Sequence, residues 1–225
     1  DFRMTTQFNN SDILAVPCIS ELDDMSPDNL ITTLDDRGVR RTIEYVTDPK
    51  FPYRPLTTFS MAHSNRYIYI DFFVRCNFLR AVNYITNTAV YEDSAVAAMI
   101  QPNPSDSTVY VFTFNCIGTV SGFILRPGHD DVAIEPEILG HIQRVASCGS
   151  RPFQELEGLF SWNILVGIPL DLLGIYGDSW PMEIKGNFFK CATATSQPHF
   201  MSWLPVDGNF PYTLQPDRFG RMILD

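Results

Sequence analysis

The sequence is poor in positive charge and has no long apolar run. Its 225 residues contain 16 Lys and Arg against 26 Asp and Glu, which gives a formal net charge of -10. This balance disfavours a nucleic-acid backbone or an anionic membrane surface as the partner, and it suits a neutral ligand or a cation. Because no stretch of 18 consecutive apolar residues occurs, the sequence predicts no membrane span.

A recognisable leader is also missing. No basic start is followed by an apolar run, so the sequence shows no signal peptide. The chain begins with Asp1, and Met4 follows closely. If a leader has been removed, we expect a periplasmic or cell-surface protein; if Met4 is the native start, we expect a cytoplasmic one.

Cysteines are few, and their number is odd. None of the five is in CxxC spacing, and three lie inside apolar runs. An odd, scattered set in a chain of this size predicts buried free thiols rather than a disulfide framework. The five are Cys18, Cys76, Cys116, Cys148 and Cys191.

Recognisable catalytic motifs are absent. The sequence has no GxSxG, HExxH, P-loop or GxGxxG pattern, and its four histidines show no ligand spacing. The acidic neighbours Glu92 and Asp93 would point to opposite faces of a strand, so they could not face each other as glycosidase carboxylates do. A non-catalytic protein is therefore expected, and a glycoside hydrolase or a hydrolase-associated domain stays open as the alternative.

Acidic doublets supply the one indication of a cofactor. Asp23-Asp24, Asp35-Asp36 and Asp130-Asp131 lie in loop-like segments. Calcium takes oxygen ligands from loops of this kind, although none of them has an EF-hand pattern. Calcium is thus a possible ligand, solvated loops are the alternative reading, and no other cofactor is indicated.

Alternating apolar residues are abundant. Residues 67–74, 109–115 and 162–168 each place every second side chain on one apolar face, and shorter runs cover 187–191, 200–204 and 221–224. Turn residues such as Asp207-Gly208-Asn209 separate these runs. We therefore predict an all-β, single-domain antiparallel β-sandwich.

Helical patterns are few. Ser26 before Pro27 is typical of a helix start, and Leu30 and Leu34 follow one turn apart. Two further segments, 137–146 and 170–173, are predicted as short helices. The sandwich should therefore carry only a few short helices.

Aromatic side chains exceed what a core needs. The chain has three tryptophans and nine tyrosines. Aromatic faces offer sugar rings an apolar platform, while amides, arginines and acids bond the hydroxyl groups. Trp162 lies in an alternating run and is predicted to be core, which leaves Trp180 and Trp203 as candidate platforms.

Several segments together resemble the carbohydrate-binding module family 9-like proteins, especially the stand-alone ones of Bacteroidetes. The order and spacing of the segments carry the resemblance, which spans roughly residues 45 to 225. The matching segments are FPYRPLTTFSMAHS (51–64), YIYIDFFV (67–74), VYEDSAV (90–96), FTFNCIGT (112–119), the 162–169 strand, GNFFKCATATSQPHFMSWLPV (186–206) and PYTLQPDRFGRMIL (211–224).

The resemblance implies a jelly-roll-like sandwich that binds oligo- or polysaccharides without chemistry, in a protein linked to polysaccharide utilisation. In xylanase-attached members of the family, a chain end is held between aromatic rings with calcium nearby. The single domain 1–225 would then comprise a sandwich at 45–225 and an N-terminal extension, 1–44, packed on it.

Ten residues are predicted to form the sugar site. Trp203 or Trp180 would be the ring platform, the acids and amides would bond hydroxyl groups, and Arg80 would either contact the ligand or pair with an acid. The ten are Arg80, Tyr91, Glu92, Asp93, Asn115, Trp180, Asn187, Lys190, His199 and Trp203.

The sequence departs from the family at polar positions. Ala97 stands where the family usually has a glutamate, Thr113 replaces an acid, and Leu214-Gln215 stand in place of a His-Arg pair. A weakened or altered sugar site is therefore expected. A structural or protein-binding sandwich without a sugar ligand is the second alternative.

Overall fold

A computed structural model describes residues 12–176, 179–208 and 214–225. The segments in which apolar residues alternate form β-strands. Asp1, Met4, Asn209 and residues 211–213 lie outside this description. The elements are β1 (Ile13–Val16), α1 (Pro27–Arg37), β2 (Val39–Thr42), β3 (Tyr45–Val46), β4 (Leu56–His63), β5 (Tyr67–Ala81), β6 (Ala95–Gln101), β7 (Val109–Asn115), β8 (Val120–Leu125), β9 (Val132–Ala133), α2 (Pro136–Leu139), β10 (Gln143–Ala146), β11 (Phe153–Pro169), β12 (Met182–Ala192), β13 (His199–Ser202) and β14 (Gly220–Leu224).

The strands form two sheets, which confirms the predicted all-β sandwich. The first sheet has the order β1-β14-β12-β6-β7-β8-β9, with β13 paired to β12 and β3 paired to β13. The second sheet has the order β10-β11-β5-β4-β2. The described pairings between these strands are antiparallel except that β1 runs parallel to β14.

The main core lies between the two sheets. On β5 the alternate residues Ile68, Ile70, Phe72 and Val74 are fully buried, as their spacing predicts. Phe188 of β12 crosses from the first sheet, and its ring centroid lies 4.3 Å from that of Phe59 on β4. Each such side chain contributes roughly 1.5–3 kcal/mol through burial, so the strand alternation is the main source of cohesion.

A second apolar cluster covers the outer face of the first sheet. Ala95, Ala97 and Met99 alternate with the inward residues of β6 and are buried there. Phe189, Phe200 and Phe219 belong to the same cluster, and Leu214 packs against it. This face is therefore dry where β6 crosses it.

The N-terminal residues contribute an edge strand to each sheet. β1 pairs with β14, β2 pairs with β4, and α1 lies against the outer face of the second sheet. Ser26 caps α1, because its Oγ accepts a hydrogen bond from the Asn29 N–H at 3.4 Å. The predicted start of this helix is confirmed.

The other two predicted helices are largely wrong. Within 137–146, α2 ends at Leu139, and residues 143–146 form β10 against β11. Leu139 and Ile142 are both buried, so their helix-like spacing reflects two contacts on either side of a turn. Residues 171–173 form a single 3₁₀ turn that ends at Gly174, whose φ of 72° is left-handed.

All five cysteines are free thiols. Cys76, Cys116 and Cys191 are buried and Cys148 is half-buried, but Cys18 is exposed. The prediction of buried thiols is therefore wrong for Cys18, which precedes a surface 3₁₀ turn instead of lying inside a strand.

Docking of α1 can be tested by truncating its buried leucine. Leu34 is fully buried against the second sheet, so Leu34→Ala should lower the free energy of unfolding by about 2–5 kcal/mol. Leu56→Ala is the control, because half of that side chain is exposed. Urea denaturation measures both; equal stability of Leu34→Ala and the wild type would show that α1 is not docked.

Candidate functional site

A buried carboxylate organises the end of the sandwich where β5 finishes. Asp93 is fully buried in the turn that leads into β6. Its Oδ1 accepts the Val82 N–H at 3.0 Å, and its Oδ2 accepts the Asn83 N–H at 2.9 Å and the Asn115 Nδ2 at 3.1 Å. The Nε of Arg80 lies 3.1 Å from Oδ1. These partners compensate the buried charge and fix the 82–94 loop.

Glu92 points the other way. Its carboxylate is 38% exposed and lies 3.7 Å from Nη2 of Arg80, whose Nη1 donates to the Ala194 carbonyl at 2.8 Å. The Glu92-Asp93 doublet lies at a 3₁₀ turn rather than on a strand, yet its two side chains still point in different directions. The turn therefore has one structural acid and one solvent-facing acid.

Tyr91 immediately precedes Glu92 in the same 3₁₀ turn and is exposed. Its side chain is 46% exposed. The Thr193 N–H donates to the Tyr91 carbonyl at 3.1 Å, and the Ala194 N–H donates to the Glu92 carbonyl at 3.0 Å. These two hydrogen bonds fix the backbone that carries the Tyr91 ring. We call Tyr91, Glu92 and Arg80 the Tyr91 patch.

The two predicted asparagines are internal. The Asn115 Oδ1 accepts the Ile117 and Thr119 N–H groups at 3.2 and 2.9 Å. The Asn187 side chain donates to the Leu204 carbonyl and accepts the Leu204 N–H, both at 3.1 Å. Both amides are fully buried, so the prediction that they contact a sugar is wrong.

Lys190 and His199 form a buried pair. The lysine Nζ lies 2.9 Å from His199 Nε2 and donates to the Cys191 carbonyl at 3.0 Å. With Nε2 as the acceptor, His199 Nδ1 donates to the Gln197 carbonyl at 2.8 Å. Burial lowers the pKa of Lys190 to about 8, and burial together with the lysine charge lowers the pKa of His199. Neither side chain reaches the surface, which contradicts their predicted role in the sugar site.

Of the two tryptophans predicted as sugar platforms, one is buried in the core, where Trp162 also lies as predicted. Trp203 is fully buried, with ring centroids 6.0 Å from Phe59 and 5.9 Å from Phe188, so the prediction that it is a sugar platform is wrong. Its ring fits because Gly220 lies opposite: a Cβ there would stand 2.5 Å from Trp203 Cη2. Trp180 is half-buried, and its indole N–H donates to Asn65 Oδ1 at 2.9 Å.

The structure shows the surroundings of the residues that depart from the family pattern. Ala97 belongs to the second apolar cluster and Leu214 packs against it, while Thr113, which pairs with Ala97 across the sheet, is buried. Gln215 Oε1 accepts the Asp207 N–H at 2.8 Å. Apolar residues at 97 and 214 therefore match a face that the chain packs with its own side chains.

A concave region that the sequence did not predict lies at the other end of β5. We call it the end cleft; its volume is about 310 Å³. The turn between β4 and β5 forms one side and the segment after β11 forms the other. An exposed aromatic between two glycines, Gly174-Ile175-Tyr176-Gly177, was the available signal. The polar and aromatic lining consists of Asn65, Arg66, Tyr67, His141, Asp171 and Tyr176.

Metal ligands do not cluster in the described ranges, where no group of three or more His, Cys, Asp or Glu side chains could hold an ion. Two of the acidic doublets have protein partners: Asp23 accepts the Tyr69 hydroxyl at 2.7 Å, and Asp35 accepts the Ser60 hydroxyl at 3.4 Å. Among the described residues, no helix has the length and apolarity needed to cross a membrane.

Comparisons with known proteins agree with this architecture. A family model described as carbohydrate-binding family 9 matches residues 29–224. The structure of a candidate carbohydrate-binding protein from Bacteroides uniformis is 27% identical, with a TM-score of 0.88 over 95% of this chain and 99% of that one. No curated protein matches the sequence.

Two more distant structures share the fold. A family 9 carbohydrate-binding module of Caldicellulosiruptor kristjanssonii in complex with glucose is 10% identical, with a TM-score of 0.57 over 95% of each chain. The module in complex with cellotriose is also 10% identical, with a TM-score of 0.55 over 94% of this chain and 92% of that one.

The opposite orientations of the acidic doublet predict unequal mutational effects. Asp93→Ala removes the acceptor of several buried donors and should cost about 3 kcal/mol or more of unfolding free energy. Glu92→Ala removes a half-exposed ion pair and should cost less than about 1 kcal/mol. Urea denaturation of both variants measures the difference. Similar losses would contradict the assignment of Asp93 as the structural acid.

Lys190 predicts a pH-dependent stability. Between pH 8 and 10.5 the unfolded chain binds a proton that the folded chain does not, so the wild type gains stability as the pH rises. Relative to Lys190→Met, the gain should approach about 1.4 kcal/mol per pH unit. Urea denaturation at pH 7, 8.5 and 10 measures it, with Lys185→Met on the same strand as the control. A difference between wild type and Lys190→Met that stays constant with pH would refute the prediction.

Proposed function

The chain belongs to carbohydrate-binding family 9, and from that premise we propose that it is a non-catalytic saccharide-binding protein whose contact surface is the Tyr91 patch. The observation that carries the proposal is the exposed side chain of Tyr91, which immediately precedes Glu92 of the Arg80–Glu92 ion pair. The patch lies within the residues that the family model matches.

The patch has the chemistry that a sugar requires. The Tyr91 ring can pack against the C–H face of a pyranose, which contributes on the order of 1 kcal/mol beyond area burial. Arg80 donates and Glu92 accepts, so both can bond hydroxyl groups, at roughly 1.5–3 kcal/mol for each bond to a charged group. Hydrogen bonds from the 193–194 backbone hold the turn, so ordering it costs little on binding.

The proposed affinity is weak. Ala97, Leu214 and Gln215 replace three polar residues of the family; Ala97 lies in the second apolar cluster and Leu214 packs against it. The loss of two polar contacts corresponds to a decrease in affinity of about a hundredfold or more, because roughly 1.4 kcal/mol is a tenfold change. We expect dissociation constants in the high micromolar to millimolar range, or a changed sugar preference.

Catalysis has no support in this geometry. A glycosidase needs two carboxyl groups that flank the bond to be cleaved. Glu92 faces solvent, but Asp93 is buried and its oxygens bond to the 82–83 backbone. A place in polysaccharide utilisation, the compartment and a stabilising calcium ion stay predictions of the sequence.

Tyr91→Ala should abolish binding at the patch, because it removes the platform while leaving Arg80 and Asp93 in place. Isothermal titration calorimetry with cellotriose and xylotriose, with and without calcium, measures the loss. Tyr45→Ala is the control, since that tyrosine is also partly exposed but lies on β3. Binding that is indifferent to Tyr91 would place the site elsewhere; release of reducing sugar from a polysaccharide that depends on Glu92 would favour the hydrolase alternative.

A further inference from the structure

The end cleft is a built concavity with no role in the fold described above. We propose that it is a second saccharide-binding site for neutral oligosaccharides, an inference that rests on the proposed function but not on the Tyr91 patch. Three features of the cleft support this function: a rigid frame, an exposed aromatic ring and a pair of opposite charges.

Hydrogen bonds to backbone groups fix both sides of the cleft. Ser64 Oγ accepts the N–H groups of Arg66 and Tyr67, each at 3.0 Å. The Leu170 N–H donates to the Arg66 carbonyl at 2.9 Å and therefore ties the two sides together. The Ile175 N–H then donates to the Leu170 carbonyl at 3.0 Å. A ligand would meet a preformed surface, which reduces the entropy that binding costs.

Aromatic surface is available inside this frame. Tyr176 is 76% exposed, although a ring of that size usually buries most of its area. Tyr67 is half-buried and packs against Tyr69, with ring centroids 5.5 Å apart. The Arg66 guanidinium carbon lies 5.5 Å from the Tyr67 centroid, so the guanidinium is positioned over the ring. Tyr176 is therefore the free platform of the two.

The polar groups favour a neutral ligand. Arg66 supplies donors and Asp171 supplies acceptors, and both line the cleft. Within the described part of the chain, neither has an oppositely charged side chain within 4.0 Å. An anionic ligand would be repelled by Asp171, and a cation would be repelled by Arg66. A polyhydroxylated neutral ring can use both groups together with the amide of Asn65.

The cleft is far from the Tyr91 patch. Tyr67 begins β5 and Arg80 lies near its end. Thirteen residues of extended strand at about 3.3 Å each separate them by roughly 43 Å. The two surfaces therefore cannot be parts of one subsite, and each can be removed without touching the other.

Trp180 provides a signal specific to the cleft. It is half-buried and bonded to Asn65, which lines the cleft, whereas Trp162 and Trp203 are buried in the core. Sugar in the cleft should change the emission of Trp180 alone. Trp180→Phe should therefore silence the response.

The test is a fluorescence and calorimetric titration of the full chain with cellotriose and xylotriose. The wild type and Tyr91→Ala should both show a saturable emission change, and Tyr176→Ala should weaken it at least tenfold. Tyr84→Ala is the control, because that tyrosine is 66% exposed but lies outside the cleft. Circular dichroism verifies that each variant is folded.

The outcomes separate the two sites. A response that is unchanged in Tyr176→Ala, or the absence of any response with both sugars, overturns the second site. Loss of calorimetric binding in Tyr91→Ala together with a flat emission signal supports the patch and overturns the cleft. A Tyr176-dependent emission change without any Tyr91-dependent heat supports the cleft and overturns the placement of the first site.

Discussion

The hydrogen bonds and the ion pair of the buried Asp93 carboxylate hold this end of the sandwich together. The carboxylate accepts hydrogen bonds from the loop after β5 and from the end of β7, and it forms an ion pair with Arg80, so two separate segments converge on one side chain. Asp93 also fixes the positions of the two residues that precede it in sequence. Tyr91 and Glu92 face solvent because Asp93 holds the turn that presents them.

The strands could be predicted from sequence because their alternation is a direct record of burial. Ile68, Ile70, Phe72 and Val74 pack inward on β5 as the period of two requires. The segment 137–146 could not, because two buried residues three apart satisfy both a helix and a turn that precedes a strand. Only the pairing of residues 143–146 with β11 decides between them.

The candidate site was harder to predict, because residue type does not reveal direction. Aspartate, asparagine, lysine and tryptophan are residues of sugar sites, but Asp93, Asn187, Lys190 and Trp203 are all buried. The sequence signal for the burial of Trp203 is a glycine, because Gly220 leaves the space that the Trp203 ring fills. The exposed member of the doublet, Glu92, could be identified only once the turn was seen.

The length of β5 has a consequence for polymers. The strand is hydrogen-bonded to β4 on one side and to β11 on the other, so it is a stiff spacer between the two ends of the molecule. With a binding surface at each end, a glycan long enough to span the spacer would gain avidity from simultaneous attachment, and a shorter fragment would not. The affinity of the protein would then depend on glycan length, so that it retains the polymer and releases the short products of its breakdown.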